Sequence, residues 1–355
     1  MNLSDLGYNE KLETAWLAMG QGEFEIGRVT AEHKERYSVR SEQGEFEAEI
    51  TGNLRFTAQS REDFPAVGDW VALTIYEPDF AIIHRILPRY SVIRRQAVGQ
   101  YSEVQIIAAN IDYAFIVQAI DRDFNINRLE RYLTICYSSK VKPVIVLSKI
   151  DLIDDSRLNE LLDHVQTRIK EVPVFAISNE TRHGYDAVSR FIEKGKTYCL
   201  LGSSGVGKST LLNNLCGKSI MRTEAISAST NRGRHVTTHR ELIILENGGI
   251  LIDNPGLREV GIADTANGLE MTFDRILEFA PDCKFKDCSH THESGCAVIE
   301  AVENGEIDRA SYENYLKMER EKAHFESTVA ERRQRDRIFG KMLKNYNKNH
   351  GKNKL

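Results

Sequence analysis

The chain has 355 residues, more than one typical domain holds, so we expect two or three domains. With 41% hydrophobic and 28% charged residues it has the composition of a globular protein, and no apolar run reaches the roughly 20 residues needed to cross a bilayer. A net charge of −5 argues against general affinity for nucleic acid, and six cysteines argue against a disulfide framework. The N-terminus lacks the basic-then-apolar pattern of a signal peptide, so we expect a cytoplasmic protein without a membrane partner.

After a short helical lead-in that ends near Gly20, the chain becomes rich in β-formers interrupted by glycine and polar turns. Five strands are predicted there: Phe24–Val29, Tyr37–Arg40, Phe46–Ile50, Asp69–Tyr76 and Ala81–Leu87. Five short strands in succession predict a small β-barrel, for which an oligonucleotide-binding (OB) fold is one candidate. A barrel that only contacts the neighbouring domain is the other, and the sequence leaves both open.

Pro88–Gln100 is interpreted as a basic connector, and beyond it predicted strands alternate with predicted helices. The predicted strands are Tyr113–Ala119, Pro143–Leu147, Val172–Ile177 and Lys196–Leu201. The predicted helices are Asn127–Tyr137, Ser156–Ile169, Ala187–Glu193 and Ser209–Cys216. This alternation predicts a central α/β domain, with a parallel sheet and helices on its faces.

Between the last of these strands and the last helix, the chain spells Gly-x-x-x-x-Gly-Lys-Ser, the phosphate-binding loop of nucleoside triphosphatases. The residues assigned to the nucleotide are Gly202, Ser203, Ser204, Gly205, Val206, Gly207, Lys208, Ser209 and Thr210. Glycines let backbone N–H groups turn toward phosphate oxygens, the lysine adds a cation, and the Ser209 hydroxyl can bind Mg²⁺. The alternative is a glycine-rich turn that matches by chance, but the flanking strand and helix favour a phosphate site.

Two further segments follow the phosphate loop. The apolar strand Gly249–Ile252 leads into Asp253-Asn254-Pro255-Gly256, where Asp253 can hold the Mg²⁺ shell and Gly256 can offer its N–H to a γ-phosphate. Asn231–His239 is polar and contains a glycine, which is typical of a mobile switch, and a threonine there can complete the Mg²⁺ coordination.

Two segments that precede the phosphate loop resemble base-reading motifs. Ser148-Lys149-Ile150-Asp151 resembles the Asn-Lys-x-Asp motif, whose aspartate accepts hydrogen bonds from guanine, and Ser178-Asn179 resembles the short motif that contacts guanine through the backbone. A generic polar loop is the alternative for the first segment. Because ordinary GTPases place both motifs after the phosphate loop, the order here predicts a circular permutation, which a compact domain tolerates.

Four potential metal ligands follow in the pattern Cys-x4-Cys-x-His-x5-Cys: Cys283, Cys288, His290 and Cys296. Three thiolates and one imidazole satisfy tetrahedral Zn²⁺ without an open position, so we expect one structural zinc. His292 can replace His290 in this spacing, and ordinary reduced cysteines are the alternative to a metal site.

The chain around this cluster is predicted to be helical over Gly268–Phe279, Tyr312–Phe325 and Thr328–Tyr346. Residues 331–355 contain nine Lys/Arg and two Asp/Glu, a net +7, so the remainder of the chain carries −12. A basic tail on an acidic body is typical of an arm that binds a polyanion, and a solvated charged helix is the alternative.

Together, the permuted motif order, the preceding small β-domain and the following Cys/His cluster resemble the circularly permuted, small-ribosomal-subunit-dependent GTPases of the RsgA (YjeQ) family. The resemblance implies an OB-like barrel over 1–95, a permuted GTPase domain over 96–265 and a helical zinc domain over 266–355. It implies GTP hydrolysis to GDP and phosphate, stimulated by the small subunit, and a role in the late maturation of that subunit. The implied partners are the small subunit and its rRNA, and we expect a monomer.

The resemblance also implies roles for single residues. It selects His290 as the fourth zinc ligand, and it places the Mg²⁺-binding threonine at Thr237 and a catalytic histidine at His235. A surface histidine that only binds rRNA or phosphate is the alternative for His235. Thr237 is grouped with His235 as catalytic, since its Mg²⁺ is required for the reaction.

The chain departs from the family pattern at the base motif, where Ser148 replaces asparagine and removes an amide that braces the loop. Val236 replaces the first of three threonines in the switch, a change of small expected effect. Leu257 stands where Ras-like GTPases carry a water-orienting glutamine, so we expect slow intrinsic hydrolysis. Two other functions stay open: an RNA-binding assembly factor gated by nucleotide, and a P-loop ATPase or kinase.

Overall fold

A computed structural model describes residues 2–20, 23–33, 36–96, 104–121, 124–217, 241–253 and 266–323 of the protein, together with Glu331 and Gln334. The strands are β1 (Glu25–His33), β2 (Arg36–Ser41), β3 (Glu45–Ile50), β4 (Trp70–Glu77), β5 (Phe80–Ile86), β6 (Val92–Gln96), β7 (Val104–Ala109), β8 (Tyr113–Ala119), β9 (Lys142–Ser148), β10 (Val174–Ala176), β11 (Thr197–Leu201), β12 (Glu241–Ile244) and β13 (Ile250–Asp253). The helices are α1 (Glu10–Ala18), α2 (Gly52–Thr57), α3 (Ile126–Ser138), α4 (Asp155–Arg168), α5 (Tyr185–Phe191), α6 (Lys208–Cys216), α7 (Ala266–Thr272), α8 (Asp274–Phe279) and α9 (Ala297–Glu303). Residues 309–323 are also helical.

The first five strands form the predicted barrel. Their spatial order is β1-β2-β3-β5-β4, and pairing between β1 and β4 closes the circle. The β3–β5 pair is parallel, and the other pairs within the barrel are antiparallel. This is the five-stranded arrangement of an OB-like barrel. All five predicted strands are found in the structure.

Alternation along the barrel strands explains which side chains reach its interior. In β3, Phe46, Ala48 and Ile50 are buried, whereas the intervening glutamates face outward. The barrel core consists of Val29, Tyr37, Val39, Phe46, Ala48, Ile50, Val71, Leu73, Ala81 and Ile83. Strand β1 also pairs with β12, so the barrel and the α/β region share one sheet.

The α/β region has the strand order β10-β9-β8-β11-β13-β12. Every neighbouring pair is parallel except β12–β13, which is antiparallel. Strands such as β9 and β11 are buried almost throughout, because helices cover both faces of the sheet. Although β11 comes late in the chain, it lies in the middle of the sheet, between β8 and β13.

Two predictions about elements need correction. The connector Pro88–Gln100 contains β6, which pairs with β7, because Val92 and Ile93 are buried beside the basic residues that dominated its composition. Gly268–Phe279 forms two helices, α7 and α8, with the buried Phe273 between them. Helix 309–323 agrees with the prediction, whereas Thr328–Tyr346 lies outside the described residues except for two helical positions.

The described residues fall into two compact units, one ending at Asp274 and the other starting at Arg275. The break between α7 and α8 coincides with this boundary. Helix α7 packs on α3, where the Thr134 and Thr272 hydroxyls lie 2.9 Å apart. The three-domain division at residues 95 and 265 stays a prediction.

A buried arginine joins the barrel to the α/β region. Arg28 on β1 is fully buried, and its guanidinium donates to the backbone carbonyls of Leu6, Gly68 (3.3 Å) and Asn110 (3.1 Å). These carbonyls belong to the N-terminal lead-in, the turn before β4 and the turn after β7. Burial lowers the pKa of Arg28, and the ring of Trp70 lies 5.6 Å from the guanidinium carbon. One side chain therefore satisfies acceptors from three segments.

We predict that Arg28→Leu destabilises the protein by about 2 kcal/mol or more, because the buried Leu6 carbonyl loses its donor, at a cost of about 1–3 kcal/mol, and the Gly68 and Asn110 carbonyls keep only their bonds from Asn110 Nδ2 and the Tyr90 hydroxyl. Denaturant unfolding measures this change. Arg36→Leu is the control, since Arg36 is 63% exposed in its ion pairs and such pairs contribute about 1 kcal/mol or less. Equal effects of the two substitutions would contradict the role assigned to Arg28.

Candidate functional site

The described segments that the sequence assigns to a nucleotide meet at one edge of the α/β sheet. Strands β8, β9, β10, β11 and β13 run parallel, so their carboxyl ends lie together. The phosphate loop follows β11, the base motif follows β9, and Ser178 lies two residues after β10. This edge is where open α/β sheets bind ligands.

The phosphate loop has the backbone that its glycines permit. Gly202, Gly205 and Gly207 have φ values of 143°, 79° and 92°, which side-chain-bearing residues rarely adopt. A Cβ at Gly202 would lie 2.2 Å from the Val117 carbonyl oxygen, and one at Gly207 would lie 2.3 Å from Asn179 Nδ2. The loop therefore requires glycine at these positions, and it leads directly into α6, whose N-terminus favours an anion.

Lys208 begins α6 and folds over its own loop. Its ammonium group donates to the carbonyls of Gly202 (2.8 Å) and Ser203 (2.6 Å). Ser209 and Thr210 follow in the first turn of α6 and are half-buried. Lys208, Ser209 and Thr210 thus form the first turn of the helix that follows the phosphate loop, the position that the motif assigns to its cation and its Mg²⁺-binding hydroxyl.

The structure corrects the expected effect of Ser148. Its hydroxyl is buried and donates to the Val206 carbonyl in the phosphate loop at 2.6 Å. The amide of the family motif is absent, but a shorter side chain supplies a brace between the base motif and the phosphate loop. Ser148 therefore does not leave the loop unsupported.

Asp151, the base-reading candidate, is held by Ser178. The Ser178 hydroxyl donates to Asp151 Oδ1 at 2.5 Å and accepts from the backbone N–H groups of Glu180 (3.2 Å) and Thr181 (3.1 Å). Ser178 is buried, whereas Asp151 is exposed. The carboxylate thus has a fixed position and free access to a ligand, as two hydrogen bonds from a guanine edge would require.

Lys149 makes an ion pair that sequence reasoning missed. Its ammonium group lies 2.9 Å from Asp121 Oδ2, and its backbone is left-handed, with φ of 63°. Asp121 comes two residues after β8. Because polar residues that follow parallel strands share one edge of the sheet, the sequence carried a signal that Asp121 lies near Lys149.

Among the remaining predicted site residues, the structure describes Asp253 and Asn179. Asp253 is the last residue of β13. Because Ile252 pairs with Cys199 on β11, Asp253 lies beside the last residues of β11. Asn179 lies against the phosphate loop and donates from its side chain to the Gly207 carbonyl at 3.2 Å. Gly256, His235 and Thr237 lie outside the described residues.

The second unit contains the predicted Cys/His cluster. The ligand atoms of Cys283, Cys288, His290 and Cys296 all lie within 4.8 Å of one another. His290 Nδ1 is 3.5 Å from the Sγ atoms of both Cys283 and Cys296. His292 is exposed and is not part of this group, so the structure favours His290 between the two histidines.

Chemistry and supporting contacts suit a metal ion at this cluster. Burial lowers the pKa of His290, which keeps its imidazole neutral and able to bind a metal. The Tyr312 hydroxyl donates to the His290 carbonyl, and Glu293 accepts backbone N–H bonds from Ser289 (3.0 Å) and Thr291 (3.0 Å). These bonds hold the loop that carries the ligands, and the donor set fits tetrahedral Zn²⁺.

No helix among the described residues is both long and apolar enough to span a membrane. Of the predicted basic tail over 331–355, only Glu331 and Gln334 are described. The tail's interaction with a polyanion therefore stays a prediction.

Comparison with known proteins gives the family. A family model described as RsgA GTPase matches residues 86–263. The small ribosomal subunit biogenesis GTPase RsgA 1 of Bacteroides thetaiotaomicron is 39% identical over 98% of this chain and 97% of its own length. The small ribosomal subunit biogenesis GTPase RsgA 2 of Listeria monocytogenes is 44% identical over 88% of this chain and 88% of its own length. RsgA of Methanosarcina acetivorans is 40% identical over 98% of this chain and 94% of its own length.

Solved structures agree with the fold. YjeQ from Thermotoga maritima is 26% identical, with a TM-score of 0.63 over 83% of this chain and 97% of that chain. YloQ, described as a circularly permuted GTPase, has a TM-score of 0.61 over 85% of this chain and 96% of that chain, and at 23% identity it supports the fold alone. The fold class and the permuted order predicted from the motifs are confirmed. By its similarity to these relatives along nearly its whole length, the chain belongs to the RsgA GTPase family.

Proposed function

We propose that this protein is a cytoplasmic GTPase that binds GTP with Mg²⁺ and acts in the biogenesis of the small ribosomal subunit. The observation that carries the proposal is that Asp151 and the phosphate loop lie at the same edge of the α/β sheet. Asp151, fixed by Ser178, lies on the base side, and the phosphate loop with Lys208 lies on the other. The names of the relatives support the subunit as partner.

Each half has a distinct task. Asp151 accepts from the N1–H and exocyclic amine of guanine, while the phosphate loop donates backbone N–H groups and Lys208 adds a positive charge. When Mg²⁺ is bound, Ser209 and Thr237 would hold it and Asp253 would bind its water ligands, while the Gly256 N–H would donate to the γ-phosphate. Ser178 and Asn179 belong to the short motif that contacts guanine through its backbone.

The reaction transfers the γ-phosphoryl group of GTP to water, giving GDP and phosphate. A water molecule attacks in line with the leaving oxygen, and Lys208 offsets negative charge on the phosphates, to which a bound Mg²⁺ would add a further positive charge. Because Leu257 has no polar group to orient this water, we assign that task to His235. Hydrolysis by the free protein is then slow, and the subunit accelerates it by ordering the residues around the γ-phosphate.

Asp151→Asn should weaken GTP binding by about tenfold or more, since a charge-assisted hydrogen bond contributes about 1.5–3 kcal/mol. The same change should improve binding of xanthosine nucleotides, whose base presents an acceptor where guanine presents an amine. Titrations with both nucleotides measure the switch. The control is Asp163→Asn on the exposed face of α4, which should leave both affinities unchanged. Unaltered GTP affinity in Asp151→Asn would disprove the base-reading role.

His235→Ala should lower subunit-stimulated hydrolysis by about a hundredfold or more while GTP binding and subunit binding persist, because only the reaction needs a group on the water. Turnover at saturating small subunits, with separate binding titrations, tests this. His239→Ala in the same segment serves as the control and should keep the stimulated rate. Full stimulation in His235→Ala would show that another group positions the water.

We further propose one structural Zn²⁺ bound by Cys283, Cys288, His290 and Cys296. The ion would supply folding energy to its unit and no chemistry to the reaction. Cys288→Ser should lose the metal and lower the melting temperature of this unit, whereas His292→Ala, beside the cluster, should keep one zinc per chain. Metal analysis and thermal unfolding measure both outcomes. Zinc retained in a Cys283/Cys288 double variant would contradict the site.

The alternative is an RNA-binding assembly factor in which nucleotide only gates docking. Two arginines on the outward face of the barrel are paired with glutamates, so among the described residues this face offers no uniform positive surface. Multiple-turnover hydrolysis with and without small subunits separates the two functions. Stimulated turnover supports the enzyme, and nucleotide-dependent binding without turnover supports the gated factor.

A further inference from the structure

A chain of hydrogen bonds links the base-side loop to the phosphate loop. The Asn214 amide on α6 donates to the Tyr185 hydroxyl at 2.8 Å and to the Asn179 carbonyl at 3.4 Å. The Tyr185 hydroxyl donates to Asn179 Oδ1 at 2.6 Å, and Asn179 Nδ2 donates to the Gly207 carbonyl at 3.2 Å. Because Gly207 and Asn214 lie in the same loop–helix segment, these bonds close a ring, which we call the loop relay.

The direction of every bond in the loop relay is fixed by its two backbone carbonyls, which can only accept. The Asn179 carbonyl turns the NH₂ group of Asn214 inward, so the Tyr185 oxygen accepts from Asn214 and its proton points to Asn179 Oδ1. The NH₂ group of Asn179 then faces the Gly207 carbonyl. Turning either amide over would set two acceptors against each other, so a single arrangement satisfies all the groups.

Tyr185 is placed to act in this way. It is the first residue of α5 and is 8% exposed, and the guanidinium carbon of Arg182 lies 5.5 Å from its ring centre. Burial raises the pKa of Tyr185, so the hydroxyl keeps its proton at neutral pH. Contact between Asn179 and Gly207 is close, since a Cβ on Gly207 would collide with the Asn179 amide.

We propose that Tyr185, oriented by Asn214, is a positioning residue for guanine-nucleotide binding: acting through Asn179, it sets the spacing between the base-side loop and the phosphate loop. This inference rests on the proposed function. GTP and GDP must engage both loops at once. A spacing fixed in advance avoids the cost of ordering the loops when the nucleotide binds.

Tyr185→Phe removes one hydroxyl and keeps the buried ring. Affinity for GTP and GDP, measured by titrating the full chain, should fall about two- to tenfold, the range of one hydrogen bond. Tyr198→Phe is the matched control, because the Tyr198 hydroxyl donates to the Phe191 carbonyl (3.0 Å) and accepts from the Glu193 N–H (3.0 Å) at the opposite end of α5. That variant loses comparable bonds and should keep its nucleotide affinity.

A double-mutant cycle separates positioning from general stability. In an Asn179→Ala background, Tyr185→Phe should cause no further loss of affinity, since the group through which it acts is gone. Asn214→Ala should reproduce the loss and provides a second variant if Tyr185→Phe does not fold. An equal loss in both Asn179 backgrounds would overturn the inference.

Unchanged affinity in Tyr185→Phe, with normal GTP binding by the wild type, would also overturn it while leaving the proposed function intact. A wild-type protein without affinity for GTP would overturn the proposed function and the loop relay with it.

Discussion

Parallel strands bring their carboxyl ends to one edge of a sheet in whatever order the chain visits them, and the site of this protein depends on that constraint. The base motif after β9 and Ser178 after β10 precede the phosphate loop in sequence but lie beside it in space. Strand β11 lies in the middle of the α/β part of the sheet, although its residues come late in the sequence. The permutation therefore changes the connections between strands and preserves the arrangement of chemical groups.

The same edge shows how a family motif can change without losing its physical role. An asparagine amide and a serine hydroxyl differ in length, but each can donate to a backbone carbonyl. Ser148 ends β9, and its hydroxyl reaches the Val206 carbonyl in the loop after β11, although β8 lies between the two strands. The base motif and the phosphate loop thus remain tied together, and the Ser178 hydroxyl holds the Asp151 carboxylate beside them.

Local patterns predicted much of this structure. Alternation found the five barrel strands, the glycine spacing found the phosphate loop, and the Cys/His spacing found the cluster, because each of these signals lies within a short stretch of sequence. The partners of Arg28, the brace from Ser148 and the hydrogen bonds of Tyr185 were not predicted. Each depends on residues from distant segments, as Arg28 does on the carbonyl of Asn110, and no local pattern carries such a pairing. Strand β6 was missed for a related reason, since its partner β7 determines its structure.

The two units differ in how they can be stabilised. The first buries two large apolar clusters on the faces of its α/β sheet and a third in its barrel. In the second, the stretch from Cys283 to Cys296 is largely exposed and polar, and few apolar side chains there are buried. Hydrophobic burial cannot hold such a stretch. A metal ion bound by the three sulfur atoms and the imidazole would link the start of the stretch to its end, and so would replace the core that these residues do not provide.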